Sequence, residues 1–143
     1  MDKDIFFMKE ALKLAKAAYN DGEVPIGAIV VCNQKIISKA YNQTEKLNDV
    51  TAHAEMIALT SAMNSLGAKY LKDCTLYVTL EPCNMCAGAT YWAQIKQIVF
   101  GAYDKKRGFL KNKNITHPKT KIKGGLLKNE SLEILQKFFK EKR

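Results

Sequence analysis

The sequence predicts an α/β domain: a three-layer α/β/α sandwich around a mixed central sheet of about five strands. Three observations predict it. Helical and strand periodicities alternate along the chain after an opening hairpin, and that alternation packs helices on both faces of a mixed sheet. The chain has 143 residues, 47% of them hydrophobic, which is enough for one domain with its own core and too few for two. No repeat, low-complexity linker or proline-rich break divides it, so a single domain over residues 1–143 is expected.

The elements follow in order. Asp4 is the expected cap of a first helix, because Ile5, Met8, Leu12, Ala15 and Tyr19 recur at i+3 and i+4 spacing; Asp21-Gly22 ends it. Ile26 to Cys32 is a β-branched run, Asn33-Gln34 a turn and Lys35 to Tyr41 a second strand, together a hairpin. Thr51 is the expected cap of a helix reaching about Ser65, closed by Gly67. Cys74 to Leu80 is a third strand. Pro82 suits the first turn of a helix from Cys83 to about Gln94. Gln97 to Gly101 is a fourth strand. The stretch from Lys105 to Lys123 reads as loop with a strand near Lys121. Asn129 is the expected cap of a last helix with Leu132, Leu135, Phe138 and Phe139 on or near one face.

Charge is uneven. Residues 1–104 carry ten Lys/Arg against eleven Asp/Glu; residues 105–143 carry thirteen against three. The whole excess of +9 therefore sits in the last 39 residues. Two readings stay open on charge alone: a solvated lysine-rich surface, or a footprint for a polyanion, with nucleic acid the first candidate. No apolar run approaches the roughly 20 residues of a membrane helix, and MDKDIFFMKE lacks the order of a signal peptide, so a cytoplasmic protein with no membrane partner is expected. Four cysteines in that compartment are thiols or metal ligands rather than disulfides.

The chemistry-bearing pieces are Thr51 to Leu59, TAHAEMIAL, and Thr79 to Gly88, TLEPCNMCAG. Cys83 and Cys86 at a helix start point two sulfurs into one space, where free N–H groups favour thiolate. They could be a redox dithiol, a structural zinc corner or part of a catalytic zinc site. A redox motif would follow the first strand of a βαβ unit, and this one comes late. A structural zinc needs four protein ligands, yet Cys32 and Cys74 stand singly in predicted strands as small core residues. His53 is then the natural third ligand, and three ligands leave the open position of a catalytic zinc. Such a zinc lowers the pKa of water to about 7. Glu55, two residues from His53, points away from the metal but can reach that water and pass its proton to substrate. His-x-Glu with Pro-Cys-x-x-Cys is the general signature of zinc nucleobase deaminases.

Beyond His53-Ala54-Glu55 and Pro82-Cys83-Asn84-Met85-Cys86, the chain carries Gly22-Glu23-Val24-Pro25-Ile26-Gly27-Ala28, Asn42, Gly101-Ala102-x-Asp104, Gly125-x-Leu127 and a terminal Phe138-Phe139 before basic residues. With these it resembles the bacterial tRNA adenosine deaminases of the TadA type over nearly its whole length. The resemblance implies a cytidine deaminase-like fold, one Zn2+ per subunit, a homodimer whose pocket both subunits complete, and conversion of the wobble adenosine of a tRNA anticodon stem-loop to inosine. It also implies that Asn42 hydrogen-bonds the flipped base while Asp104, Lys106, Phe138 and Phe139 hold flanking nucleotides. The basic loop from Lys105 to Lys113 and the Phe138-Phe139 helix end are the expected open rim of the pocket. The chain departs from the family at Lys105-Lys106-Arg107-Gly108-Phe109-Leu110, where the family has a lysine and small residues; here the loop is bulkier and more basic. A small-molecule guanine or cytosine deaminase of the same superfamily is the rival reading, and a zinc-stabilised RNA-binding module without catalysis is a third. His117 reads as a loop residue.

Overall fold

The computed structural model describes residues 2–142. The first helix, α1, runs Lys3–Asn20, and its cap is Asp2, whose carboxylate accepts the Asp4 N–H at 2.9 Å. Asp4, the expected cap, is instead inside the first turn. Its carboxylate takes the Tyr77 hydroxyl at 2.6 Å and the Lys123 ammonium at 2.8 Å, which ties the helix down onto the sheet. Strand β1 is Gly27–Cys32 and β2 is Lys35–Tyr41. Asn33 and Gln34 between them both adopt positive φ, 52° and 64°. That is the two-residue turn whose twist matches a hairpin, and it explains why β1 and β2 pair directly. Ile26 stays outside β1, its N–H turned back to the Val24 carbonyl.

Helix α2 is Ala54–Leu66, β3 Cys74–Leu80, α3 Asn84–Ala93, β4 Gln97–Ala102, β5 Lys121–Lys123 and α4 Lys128–Glu141, with a short 3-10 turn at Phe109–Lys111. Gly67 closes α2 in the left-handed region, φ 63°, as the sequence predicts. The sheet order is β2-β1-β3-β4-β5; β1 lies antiparallel to both neighbours, while β3, β4 and β5 are parallel. This is the expected mixed five-stranded sheet.

Side chains alternate across a strand, so successive residues face different layers. Ile29, Val31, Tyr77 and Val99 face α1 with Phe7, Met8 and Ala11. Ala28, Val30, Leu76, Val78, Ile98 and Phe100 face the other side, where Ala54, Ala58 and Ala62 of α2 and Ala87 of α3 complete a second cluster. Helix α4 joins the α1 side, against β4 and β3. Both faces of β1 and β3 are covered, which is why their sequences are continuous apolar runs rather than alternating ones. Each fully buried Leu, Ile or Val here contributes roughly 1.5–3 kcal/mol. At Gly27 the backbones of α1 and β1 approach so closely that a Cβ would overlap the Ala11 carbonyl.

One expectation for α4 is corrected. Its cap position is Leu127, in the left-handed region at φ 54°, and Asn129 lies within the first turn. The buried stripe is Ser131, Leu135 and Phe138, at i, i+4 and i+7; Leu132 and Phe139 stand beside it, 36% and 50% exposed.

The topology gathers three chain reversals at one edge. β2 ends at Asn42, β3 leads into Pro82-Cys83 and β4 leads into Asp104. Open α/β sheets bind ligands at the carboxyl ends of their strands.

Candidate active site

Two helices begin at one place. His53 is the cap of α2 and Cys83 the cap of α3, both in extended backbone, and neither side chain makes a capping hydrogen bond. Ser, Thr, Asp or Asn at such a position typically contributes about 1 kcal/mol, so both positions forgo helix stability. Thr51, the expected cap, is used earlier: its N–H and hydroxyl both donate to Asp49, at 2.8 and 2.7 Å. That turn lets the chain extend through His53 before α2 starts. Pro82 likewise lies one residue before the cap rather than in the first turn of α3, and its carbonyl accepts the Phe109 N–H at 3.0 Å.

The side chains freed in this way converge. His53 Nδ1 stands 3.5 Å from Cys86 Sγ and 3.7 Å from Cys83 Sγ, and donor atoms of the three residues lie within 4.8 Å of one another. Tetrahedral zinc with ordinary Zn–S and Zn–N bond lengths would set a sulfur and a nitrogen about 3.6 Å apart. The donor set therefore fits zinc, and three donors leave a coordination position open. A hydrogen bond from Cys86 holds the Cys83 thiol down at about 3, with His53 adding to the effect, and that same shared hydrogen pushes Cys86 up. The Cys83 hydrogen bond in turn raises His53.

Glu55, in the first turn of α2, is 4% exposed, and its Oε1 is buried with no hydrogen-bond partner. Burial pushes its carboxyl up to about 7. An unsatisfied buried carboxylate oxygen is costly, and this carboxyl neighbours His53 and Cys86 of the donor set.

Asn42, 4% exposed, follows β2 with its N–H on the Ile26 carbonyl at 3.1 Å. The Asp104 carboxylate accepts the Lys106 and Arg107 N–H groups at 3.2 and 3.1 Å, so it shapes its own loop. Lys106 is exposed and its carbonyl takes the Lys111 ammonium. Phe138 is 8% exposed and packs on the Tyr19 ring across α1 and α4; it is a packing residue rather than a free surface for a base. Phe139 next to it is half exposed. A groove of about 530 Å³ between α1 and α4, lined by Lys9, Lys13, Lys16 and Lys137 among others, contains none of the His53 cluster. Cys32 and Cys74 face each other across β1 and β3, apart from that cluster. His117 packs on the Tyr91 ring at 5.6 Å.

Sequence reasoning passed over two buried carboxylates, Glu23 and Glu81, 1% and 5% exposed. The available signal was a glutamate just before a proline segment, Glu23 ahead of β1 and Glu81 after β3.

Fold and donor set together define the class of zinc-dependent deaminases acting on amino-bearing rings. The family model described as the cytidine and deoxycytidylate deaminase zinc-binding region matches residues 1–102, and the chain belongs to that family. Within it, the chain is 48% identical to the tRNA-specific adenosine deaminase of Buchnera aphidicola, over 99% of this chain and 97% of that one. A solved structure from a study of A-to-I editing by tRNA:A34 deaminases at the wobble position of transfer RNA is 42% identical, with TM-score 0.85, over 91% of this chain and 99% of that one. A solved guanine deaminase of Bacillus subtilis is 43% identical with TM-score 0.66, over 68% of this chain and 63% of that one.

Proposed function

We propose that the protein hydrolyses the 6-amino group of the wobble adenosine in a tRNA anticodon stem-loop, giving inosine and ammonia. The observation that carries this reading is the 48% identity to a tRNA-specific adenosine deaminase over 99% of the chain, basic C-terminal segment included; the guanine deaminase of Nitrosomonas europaea, alike over 92% of the chain, is only 25% identical.

His53, Cys83 and Cys86 would hold one zinc ion per subunit, which when bound supplies Lewis-acid activation of water at neutral pH. The chain's own residues do the rest. Glu55 Oε1, buried and unpartnered, is the proton carrier: it accepts a proton from the attacking water and delivers it to the ring nitrogen beside C6, which makes that carbon electrophilic. The water's second proton leaves on the departing amine by the same carboxylate. Burial, which raises this carboxyl, favours its holding the proton between the two transfers. Asn42, at the bottom of the cleft, reads the swung-out base, and an unpaired anticodon base swings out at little cost. Lys106 and the exposed loop around it meet the flanking phosphates, with Phe139 at the helix end available for stacking.

A homodimer belongs to the same reading. Leu47 and Val50, 53% and 85% exposed on the stretch between Asn42 and His53, offer apolar surface beside the site. The cytoplasm is the compartment that a tRNA substrate assigns. No helix among the described residues is long and apolar enough to cross a membrane. The test is deamination of stem-loops carrying A or C at the wobble position, with inosine and uridine read by mass spectrometry. Inosine from the A loop with the C loop unchanged is expected, and preference for C would overturn the reading.

A further inference from the structure

Two buried carboxylates, Glu23 ahead of β1 and Glu81 after β3, each accept two main-chain N–H groups. The Glu81 oxygens accept the Asp104 N–H at 2.9 Å and the Leu110 N–H at 3.0 Å. They therefore close the loop from Asp104 to Leu110 at both ends. The Glu23 oxygens accept the Glu45 N–H at 3.1 Å and the Lys46 N–H at 2.7 Å, within the stretch that joins Asn42 to His53. Each glutamate spends one oxygen on each main-chain donor. Bonds from N–H to an ionised acceptor are the strong kind, and losing one partner of a buried set costs more than the bond itself contributes.

We infer that Glu23 and Glu81 are positioning residues for substrate, two clamps that fix the loops 43–49 and 104–110 as opposite walls of the base-binding cleft. Three further contacts support this for Glu81. Gly108 pairs with Cys83 as an isolated β-bridge, and the Phe109 N–H reaches the Pro82 carbonyl, so the clamped loop is stapled to the segment that carries a metal ligand. A Cβ at Gly108 would overlap the Glu81 carboxylate, so the loop approaches as closely as glycine allows. Phe109, 3% exposed, inserts beneath the loop. The bulky segment Lys105-Lys106-Arg107 is thus an exposed tip on a base held by buried charge. On the other wall, Glu23 holds the chain between Asn42 and His53. Neither loop belongs to a strand or an α-helix, and loops bind with little entropy cost only when a scaffold holds them.

A carboxylate rather than an amide is required at both places. Glutamine offers one acceptor oxygen and an NH2 donor, which would confront a main-chain N–H instead of accepting from it. The consequence for substrate rests on the RNA reading above; the consequence for the loops does not. Glu23→Gln, Glu81→Gln and Gly108→Ala, each checked for zinc content, separate the two. Amide hydrogen exchange should quicken at least about tenfold at Asp104 and Leu110 in Glu81→Gln and Gly108→Ala, and at Glu45 and Lys46 in Glu23→Gln, with core amides unchanged. With a stem-loop substrate, KM should rise about tenfold while kcat stays within about threefold. Gly108→Ala keeps the carboxylate and so reports on the clamp even if Glu81→Gln does not fold. Unchanged protection of those four amides overturns the clamps. A fall in kcat at constant KM, with zinc retained, overturns their role in holding substrate. A wild-type protein that leaves the stem-loop intact would defeat the RNA reading, and the exchange rates would still decide the clamps.

Discussion

His53 Nδ1 and Cys83 Sγ stand 3.7 Å apart, though 30 residues separate them in sequence, because each is the residue on which a helix starts. Helices α2 and α3 pack together on one face of the sheet, and their first turns aim free N–H groups at the same volume. The donor set is therefore a product of the fold, held by alanine-rich packing beneath it.

The metal content follows directly. Wild-type protein should bind one zinc per chain, and a Cys32→Ala/Cys74→Ala double variant should bind as much, since those sulfurs face each other elsewhere in the sheet. Cys83→Ala should lose most of it. Metal analysis of purified protein decides, and a double variant without zinc would mean that the ligand set is wrong.

Acid stability has a definite sign at Asp4. Burial pushes its carboxyl up, but hydrogen bonds from Lys123 and Tyr77 outweigh that and hold it below the usual 3.8. A depressed carboxyl stabilises the fold above the pKa of the unfolded chain and loses that contribution as pH falls through the folded value. Asp4→Asn should cost about 1 kcal/mol at pH 7. The gap to wild type should shrink in the acid range. Urea unfolding at pH 7 and pH 3 measures it, and an equal gap at both would remove Asp4 from the account.

Much of this was legible in the sequence. The hairpin, the strands Lys35–Tyr41 and Cys74–Leu80, Gly67 as a helix stop and the His53-Cys83-Cys86 grouping need only periodicity, turn chemistry and ligand arithmetic. The helix starts were not legible. Asp4, Thr51 and Asn129 are all good capping residues, yet Asp2, His53 and Leu127 hold the positions. Tertiary partners, Tyr77 and Lys123, engage Asp4, and a local turn with Asp49 engages Thr51. For Phe138 the spacing that set it on one face with Leu135 agrees with its burial, whereas the nucleotide-holding role implied by the resemblance does not. Glu23 and Glu81 were missed because their partners are main-chain N–H groups 22 to 29 residues away, which the nearby proline segments do not identify.

The basic segment should carry RNA affinity. Phosphate contacts release counterions, so binding should weaken steeply with salt, by about 0.7 in log–log slope per phosphate neutralised on a single strand. Reversing Lys105, Lys106 and Arg107 together should cut affinity more than about tenfold and flatten that slope. Reversing Lys9, Lys13 and Lys16 of α1 should cost far less. Lys123 is left out because it is bonded to Asp4. Equal losses from the two sets, measured by filter binding across a salt series, would indicate diffuse attraction without a defined RNA surface.

Glu55 is the proposed proton carrier in deamination of an adenosine presented by RNA. One assay tests it most directly: zinc-loaded wild type and Glu55→Ala, each given an anticodon stem-loop with A at the wobble position and, in parallel, free adenine, guanine and cytosine. Wild type should convert the stem-loop to inosine and release negligible ammonia from the free bases. Glu55→Ala should keep its zinc and bind the stem-loop while losing at least about a thousandfold in kcat. Rapid ammonia release from free guanine with the stem-loop left intact, or turnover by Glu55→Ala within about tenfold of wild type, would contradict the account.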